Sequence, residues 1–379
     1  MNVDIVFEGG GAKGLALNGA VAALEARGCT FGRLVGTSAG AITATLGALG
    51  YDGPSLMRLS LEQNAQGQSR MTEFIATPDP FSREELLHSS MGGALHALDL
   101  PLVPETIESR VDVAVMRGLL KLHFFPSVFS LVERGGLFSA RGFVRWMAEQ
   151  MDAGGRNASS LTFAQLYERT GRSLSLVVTD TAATAMRVLN HHTTPDCPVL
   201  WGVRMSMSIP FFWPEVVWLP AWGRYLGEDL SGHTFVDGGV VSNFALRLLI
   251  SDDDWVQEVM GDPPTPEDDV VGLYLDDTLT PGGAPEGISL ADHLGVEDTH
   301  GKVVGRLERV VNAMMSAGDL DEARLHEALV CRLPVKGYGT TEFHMSQERI
   351  QHILRAGFDS GDAWFRRWRA AEAPARAAS

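Results

Sequence analysis

Three glycine-containing segments, far apart in the chain, carry residue types that together could catalyse acyl transfer. The first segment is a turn whose main-chain N–H groups could bind an anion, made of Gly9, Gly10, Gly11, Ala12, Lys13 and Gly14. The second, Gly36–Gly40, carries the hydroxyl of Ser38. The third is Asp237, whose carboxylate could accept a proton, followed by Gly238 and Gly239. The three segments predict a nucleophile, a base and an oxyanion hole.

The glycine-rich turn joins a predicted strand to a predicted helix. The strand is a β-branched and aromatic run of Val3, Ile5, Val6 and Phe7. From Ala12 onward the apolar spacing becomes helical, with Leu17, Val21 and Leu24 on one face. Unpaired N–H groups at the positive end of a helix favour an anion. Lys13 lies in the first helical turn, and the sequence leaves open whether it is an exposed lysine or part of the site.

The same glycines also match two nucleotide-binding patterns. Gly9, Gly11 and Gly14 fit Gly-x-Gly-x-x-Gly, but no carboxylate occurs from Cys29 to Gly40, where a dinucleotide site expects the acid that binds the ribose. A phosphate-binding P-loop does not fit, because Leu15 follows Gly14 in place of a lysine.

The serine lies in the context that gives a Gly-x-Ser-x-Gly pattern its meaning. A short strand, Arg33–Val35, runs into Gly36–Gly40, and a helix of small residues, Ala41–Leu49, follows. Such a turn lifts the serine clear of the backbone, and glycines flank it because side chains would collide there. The pattern alone is weak evidence in a chain with 41 glycines. Because a second glycine turn follows a neighbouring strand, the better interpretation is that Ser38 is a nucleophile that faces an oxyanion hole.

The carboxylate has a similar setting. Thr234–Val236 is a predicted strand and Asp237 stands at its carboxyl end, the position where open α/β sheets bind ligands. An isolated Asp-Gly-Gly is usually only a turn. As the third member of this set, Asp237 is interpreted as the base that accepts the Ser38 proton.

These segments resemble the motifs of the patatin-like phospholipase family. Gly9 to Gly14 is similar to its oxyanion loop, Gly36 to Gly40 to its nucleophile elbow, and Asp237-Gly238-Gly239 to its Asp-Gly-Gly/Ala motif. The resemblance implies a Ser–Asp dyad without a catalytic histidine, with Ser38 as nucleophile and Asp237 as proton acceptor. It further implies hydrolysis of (phospho)lipid carboxylic esters of the phospholipase A type, with no cofactor and no metal.

Weaker similarities to the family extend along the chain, and one departure is visible. Leu174–Leu189, Arg204–Pro210 and Gly337–Gly357 each resemble a family segment. Where many members have Asn-Pro after the Asp-Gly motif, this chain has Asn243-Phe244-Ala245. We therefore expect a different loop geometry at Asn243 but the same dyad.

The predicted fold class is α/β, a mostly parallel central sheet with helices on both faces. We expect a single domain over 1–379 and a helical insertion or lid at 69–141 over the active-site edge. Residues 252–269, with eight acids and no Lys or Arg, predict an acidic loop, and 370–379 a flexible tail. The aromatic-rich stretch Pro195–Trp222 is the best candidate for the substrate-binding surface.

Composition excludes several classes of partner. A net charge of −16 without a lysine- or arginine-rich run argues against nucleic acid as a ligand. The same charge argues against purely electrostatic binding to an anionic bilayer, unless the active-site face is locally neutral or basic. The three cysteines show no metal-ligand spacing, and Asp276 and Asp277 are expected in a loop or cap. No signal peptide or membrane-spanning run is evident. These features predict a cytoplasmic protein with a lipid substrate, and leave open transient membrane contact, an activator and the oligomeric state.

Three alternatives remain at this point. An α/β-hydrolase triad would add a histidine such as His300 or His344 to the serine and the aspartate, although that fold usually places several strands before its elbow. Acyl transfer to an alcohol or carrier would use the same elbow. A non-enzymatic dinucleotide- or lipid-binding module would use the glycine turn without the serine chemistry.

Overall fold

A central mixed sheet organises the chain, for which a computed structural model describes residues 1–90, 125–266, 269–287, 299–316 and 319–376. Within those residues the sheet has eight strands. The strands are β1 Asn2–Phe7, β2 Thr30–Thr37, β3 Leu174–Asp180, β4 Ala185–Leu189, β5 Val216–Val217, β6 Thr234–Asp237, β7 Val270–Asp276 and β8 Val330–Pro334.

The centre of the sheet is parallel and one side of it is antiparallel. Strands β8, β7, β1, β2 and β3 lie side by side in that order and all run in the same direction. Strands β4 and β6 both run antiparallel to β3, and β5 runs antiparallel to β6. The prediction of a mostly parallel α/β sheet is confirmed.

Strands β2 and β6 lie end to end along one edge of β3. Strand β4 occupies the other edge, because it pairs with β3 from Leu176 to Asp180 and each residue has one partner per edge. On the shared edge, Thr37 of β2 pairs with Val177, and Asp237 of β6 pairs with Val178. The carboxyl ends of β2 and β6 therefore point at each other.

Helices cover both faces of the sheet. Because side chains alternate along a strand, Ile5 and Phe7 enter one hydrophobic cluster and Val6 enters another on the opposite face. The helices are α1 Leu15–Ala26, α2 Ala39–Ala48, α3 Gly53–Ser60, α4 Arg83–Leu87, α5 Phe125–Arg134, α6 Arg141–Asp152, α7 Phe163–Thr170, α8 Val199–Ser206, α9 Arg247–Ile250, α10 Asp254–Met260, α11 Thr299–Ser316, α12 Asp319–Leu325 and α13 Gln347–Arg376.

The first and last helices make a close contact through glycines. A Cβ atom on Gly19 of α1 would collide with the Leu354 carbonyl of α13, and one on Gly357 of α13 would collide with the Ala16 carbonyl of α1. Helix α13 also packs against β8 at the edge of the sheet. The carboxyl-terminal part of the chain is thus joined to its first helix.

The acidic segment differs from the prediction of a loop. Residues Asp254–Met260 form α10, which Asp253 caps by accepting a hydrogen bond from the Trp255 amide and which Gly261 ends in a left-handed conformation. Val256, Val259 and Met260 are buried, so three apolar residues at helical spacing outweigh the acidic composition.

The proposed insertion is only partly covered by the structure. Residues 91–124 of it lie outside the described residues. Its first part packs into the core, because the Phe74 ring contacts Phe143 and Trp146 and its carbonyl accepts a hydrogen bond from Trp213 Nε1 at 2.8 Å. At the other end of the chain, α13 continues to Arg376. Residues 370–376 of the predicted flexible tail are therefore helical.

Candidate active site

Ser38 lies at a strained turn between β2 and α2. Its backbone φ is +52°, in the left-handed region that residues with a side chain seldom adopt. Gly40 permits the turn, because a Cβ there would collide with the Phe7 carbonyl oxygen of β1. The Ser38 amide donates a hydrogen bond to Ser206 Oγ at 2.9 Å, and that hydroxyl donates to the Val177 carbonyl at 2.7 Å. The nucleophile candidate is therefore held by two neighbouring elements.

The Ser38 hydroxyl and the Asp237 carboxylate are in direct contact. Ser38 Oγ donates a hydrogen bond to Asp237 Oδ2 at 2.6 Å, although the residues are 199 positions apart. The other carboxylate oxygen accepts a hydrogen bond from the Gly239 amide at 2.8 Å. Both side chains are fully buried, and burial raises the pKa of Asp237 to about 7. A carboxylate of this pKa is a better base than an exposed aspartate.

The glycine turn presents two of its four predicted donors. The Gly9 amide donates to the Asn243 carbonyl at 3.1 Å, and the Ala12 amide donates to the Thr340 carbonyl at 2.8 Å. Within the part of the chain that the structure describes, the Gly10 and Gly11 amides donate no hydrogen bond. These two N–H groups are the ones that remain for a ligand.

The remaining motif glycines mark places of close approach. A Cβ on any of them would collide with a neighbouring atom: Gly14 with Ala39, Gly36 with the Gly40 carbonyl, Gly238 with the Val177 carbonyl, and Gly239 with Met315. A side chain at any of these glycines would therefore disturb the close packing around the three motifs.

Asn243 links the glycine turn to the loop that follows Asp237. Its Nδ2 donates to the Gly9 carbonyl at 2.9 Å and to Glu8 Oε1 at 3.2 Å, and the residue is 4% exposed. Sequence reasoning noticed Asn243 only as the start of a departure from the family pattern. The available signal for this role was an asparagine soon after the Asp-Gly motif, in a chain whose glycine turn needs a hydrogen-bond donor to fix its position.

Lys13 is buried and ion-paired. Its Nζ lies 2.8 Å from Asp277 Oδ2, and the residue is 7% exposed, so the alternative of an exposed lysine is wrong. The neighbouring Asp276 is the last residue of β7 and not a loop residue; its carboxylate accepts hydrogen bonds from the Thr278 amide and hydroxyl and pairs with Arg332 at 2.5 Å. Among the described residues no group of three or more His, Cys, Asp or Glu side chains could hold a metal ion.

An apolar pocket begins beside the elbow. It is bordered by Gly11 of the glycine turn and by Ala39, the residue after Ser38, and it runs between α2, α3 and α6. Its larger apolar lining residues are Leu15, Ile42, Leu46, Met71, Phe74, Trp146, Met207 and Phe343. Of the stretch Pro195–Trp222, which the sequence favoured as substrate surface, only Met207 lines this pocket. The aromatic residues Phe212, Trp213, Trp218 and Trp222 of that stretch are buried in the core.

Histidines do not complete a triad among the described residues. No histidine there is hydrogen-bonded to the Ser38 or Asp237 side chain, whose partners are each other and the Gly239 amide. The side chain of His300, one of the two candidates, lies outside the described residues. The three cysteines are free and buried.

The family model described as patatin-like phospholipase matches residues 5–250, which include all three motifs. The chain belongs to this family. It is 31% identical to the uncharacterized protein YqhO of Bacillus subtilis (strain 168) over 255 residues, 66% of this chain and 67% of YqhO. It is 26% identical to the probable lipid hydrolase 463L of Invertebrate iridescent virus 6 over 116 residues, 31% of this chain and 36% of 463L.

A solved structure with partial similarity is VipD from Legionella pneumophila. The superposition has a TM-score of 0.44 at 17% identity and covers 96% of this chain and 66% of the VipD chain. The patatin-like chain thus spans about two thirds of YqhO and VipD, and about a third of the viral protein. Among the described residues, no helix has both the length and the apolar character needed to cross a membrane.

Proposed function

We propose that this protein is a serine lipid acyl hydrolase that cleaves carboxylic esters of (phospho)lipids through an acyl-enzyme, with phospholipase A specificity. The observation that carries the proposal is the 2.6 Å hydrogen bond from Ser38 Oγ to a buried Asp237 carboxylate. Membership of the patatin-like phospholipase family and similarity to a probable lipid hydrolase support the same reaction class.

In the proposed mechanism a Ser–Asp dyad performs both half-reactions. Asp237 Oδ2 accepts the Ser38 proton while Ser38 Oγ attacks the ester carbonyl, and the proton then passes to the departing alcohol or lysophospholipid. Water next attacks the acyl-enzyme and loses a proton to Asp237, which returns that proton to Ser38 Oγ as the acyl–oxygen bond breaks and the fatty acid leaves. No histidine takes part, and the mechanism uses no metal or cofactor.

The negative charge of each tetrahedral intermediate would be stabilised by main-chain donors. We assign this role to the Gly10 and Gly11 amides, because those of Gly9 and Ala12 already donate to the Asn243 and Thr340 carbonyls. Donors fixed in a buried site contribute more than donors in water, and the loss of one typically lowers kcat by about 10²- to 10³-fold.

The apolar pocket beside Ala39 is the proposed acyl-chain site. Its lining of aliphatic and aromatic side chains suits an alkyl chain, and its position next to the elbow would direct the ester carbonyl toward Ser38. Acyl transfer to an alcohol would use the same steps with a different acceptor, so the products of the reaction distinguish the two.

Labelling with a fluorophosphonate, followed by mass spectrometry, tests the nucleophile. We expect one adduct, on Ser38, and no adduct in the Ser38→Ala variant. Release of fatty acid from phosphatidylcholine should fall to background in Ser38→Ala, while Ser242→Ala, a serine in the loop after Asp237, serves as the matched control. Unchanged fatty-acid release by a folded Ser38→Ala protein would exclude the dyad.

A further inference from the structure

A groove on the side of α6 opposite the apolar pocket is basic, although the chain as a whole carries a net charge of −16. Its lining includes four arginines and two acidic residues of the described chain: Arg134, Arg141, Arg145, Arg204, Asp79 and Glu85. The lining side chains alone therefore carry a net charge of +2. Such a reversal of sign within an acidic protein is the local exception that binding to an anionic surface requires.

Arg204 is a buried cation that has no carboxylate partner within the described part of the chain. It is 5% exposed and donates only to uncharged groups, the Ser208 hydroxyl and the Pro214 carbonyl. Among the described residues, no acid forms an ion pair with Arg204. A buried charge is costly unless an opposite charge compensates it. An anion in the groove that Arg204 lines would supply that charge.

Arg141 and Arg145 are available to the same anion. Their side chains are 80% and 67% exposed, and their ion pairs are with Asp79 at 2.9 Å and with Glu73 at 3.8 Å. Exposed ion pairs of this kind contribute little to stability. An anionic ligand can therefore compete with Asp79 and Glu73 for the two guanidinium groups. Arg134 is already held by Glu85 at 2.6 Å.

The groove lies beside the proposed acyl-chain pocket. Helix α6 separates the two, because Trp146 lines the pocket while Val144, Arg145 and Ala148 line the groove. The distance across is about one helix diameter, roughly 10 Å. Trp201, which also lines the groove, is 36% exposed and stacks on Trp222 at 5.6 Å. An indole that is half buried and half wet suits a lipid interface.

We propose that this arginine groove binds the phosphate group of an anionic phospholipid headgroup, and so docks the protein on a membrane with the acyl-chain pocket beside the lipid. Guanidinium groups recognise phosphate oxygens through paired N–H donors. The proposal rests on the proposed function only in naming a lipid as the source of the phosphate.

The test measures binding without catalysis, in the Ser38→Ala background. Sedimentation with vesicles of phosphatidylcholine and phosphatidylglycerol is compared between two double variants, Arg141→Gln/Arg145→Gln and Arg355→Gln/Arg366→Gln. The second pair lies on α13, is 76% and 66% exposed and is likewise paired with carboxylates, so both variants make the same change of charge at similar exposure. Arg204→Gln is not used, because losing its buried hydrogen bonds would destabilise the fold.

We expect the groove variant to bind these vesicles about 25-fold more weakly, the product of roughly fivefold for each arginine near an anionic surface. The α13 variant should lose less than threefold, and vesicles of pure phosphatidylcholine should bind weakly in every case. An equal loss in both double variants, or none in the groove variant, would overturn the proposal. Inorganic phosphate that raises the thermal midpoint of a protein unable to bind vesicles would identify free phosphate as the ligand, and would also overturn it. None of these outcomes depends on whether Ser38 hydrolyses an ester.

Discussion

Thr37 and Asp237 pair with adjacent residues of β3, Val177 and Val178, although they end strands that run in opposite directions. Strand β2 stops where β6 arrives, so the residue after Thr37 meets the Asp237 carboxylate. The sheet register therefore places Ser38 Oγ within 2.6 Å of Asp237 Oδ2 without any long loop between them. The predictions on Asp237 follow from this arrangement.

The rate of hydrolysis should fall in mild acid. Because burial raises the pKa of Asp237 to about 7, the base is increasingly protonated below that pH. We expect kcat/KM for a soluble ester to fall about tenfold per pH unit well below pH 7, with a single titrating group. Asp237→Asn should lower kcat by about 10²- to 10⁴-fold and abolish this pH dependence. A wild-type profile that is flat between pH 5 and pH 7, with chemistry rate-limiting, would contradict the assignment.

The same carboxylate should make the fold less stable at high pH. A carboxyl group with a raised pKa in the folded state stabilises the protein below its unfolded pKa of about 3.8, and that stabilisation is lost as the pH rises through about 7. Wild type and Asp237→Asn should therefore unfold with similar free energies near pH 4, and the variant should be more stable by a few kcal/mol at pH 8, since one pKa unit is worth about 1.4 kcal/mol. Chemical denaturation at both pH values measures the difference. A constant difference across the range would mean that Asp237 does not titrate with a raised pKa.

Gly10→Ala should impair catalysis by moving an oxyanion donor. The new Cβ would collide with Leu275 Cδ1, a side-chain atom that can give way, so the fold should survive while the turn shifts. We expect kcat to fall by up to about 100-fold. Adding Leu275→Val removes the obstructing atom and should restore most of the activity. Gly282→Ala, where a Cβ meets nothing within 4 Å, is the matched control and should leave kcat unchanged.

Asn243→Ala should weaken both catalysis and stability. Removing Nδ2 leaves the Gly9 carbonyl and Glu8 Oε1 without this donor in a buried setting, which typically costs about 1–3 kcal/mol. Since the glycine turn loses its tie to the loop after Asp237, kcat should fall more than KM changes. Steady-state kinetics and denaturation of the same preparation measure both effects. Wild-type kcat in a destabilised variant would show that Asn243 is structural only.

Ile42→Trp should shorten the acyl chains that the enzyme accepts. Ile42 lies on α2 and lines the apolar pocket, so a larger ring there would occupy space that we propose for the acyl chain. We expect kcat/KM for p-nitrophenyl palmitate to fall at least tenfold while the value for the acetate stays within twofold. Equal effects on both esters would place the acyl chain elsewhere.

Local pattern was sufficient to predict the elements that carry the chemistry. The elbow at Gly36–Gly40 and the glycine turn each join a strand to a helix, a context that can be read from neighbouring residues. The direction of β6 could not be read in this way, because Thr234–Asp237 is too short to show which neighbour it pairs with. The contact between Ser38 and Asp237 was expected because a nucleophile needs a base. The end-to-end arrangement of β2 and β6 that produces this contact depends on their register along β3, which local pattern does not show.

Tertiary contacts decided the points that local pattern left open or predicted wrongly. Lys13 opposes its own helix dipole, and only the distant Asp277 explains its burial. In α10 the acidic composition indicated a loop, but burial of Val256 and Val259 decided the structure. In the Pro195–Trp222 stretch most aromatic side chains are buried in the core while Trp201 and Phe211 are exposed, and periodicity alone cannot distinguish a core ring from one that lines a substrate pocket.

The pairing of β1 with β7 has a consequence for where the chain can be cut. The family model ends at residue 250, yet β1 lies between β2 and β7, and α1 is in contact with α13. A fragment that stops at residue 250 would keep Ser38 and Asp237 but would expose one side of β1 and the small-residue face of α1. We therefore expect the independently folding unit to extend beyond the catalytic motifs and to include the last helix.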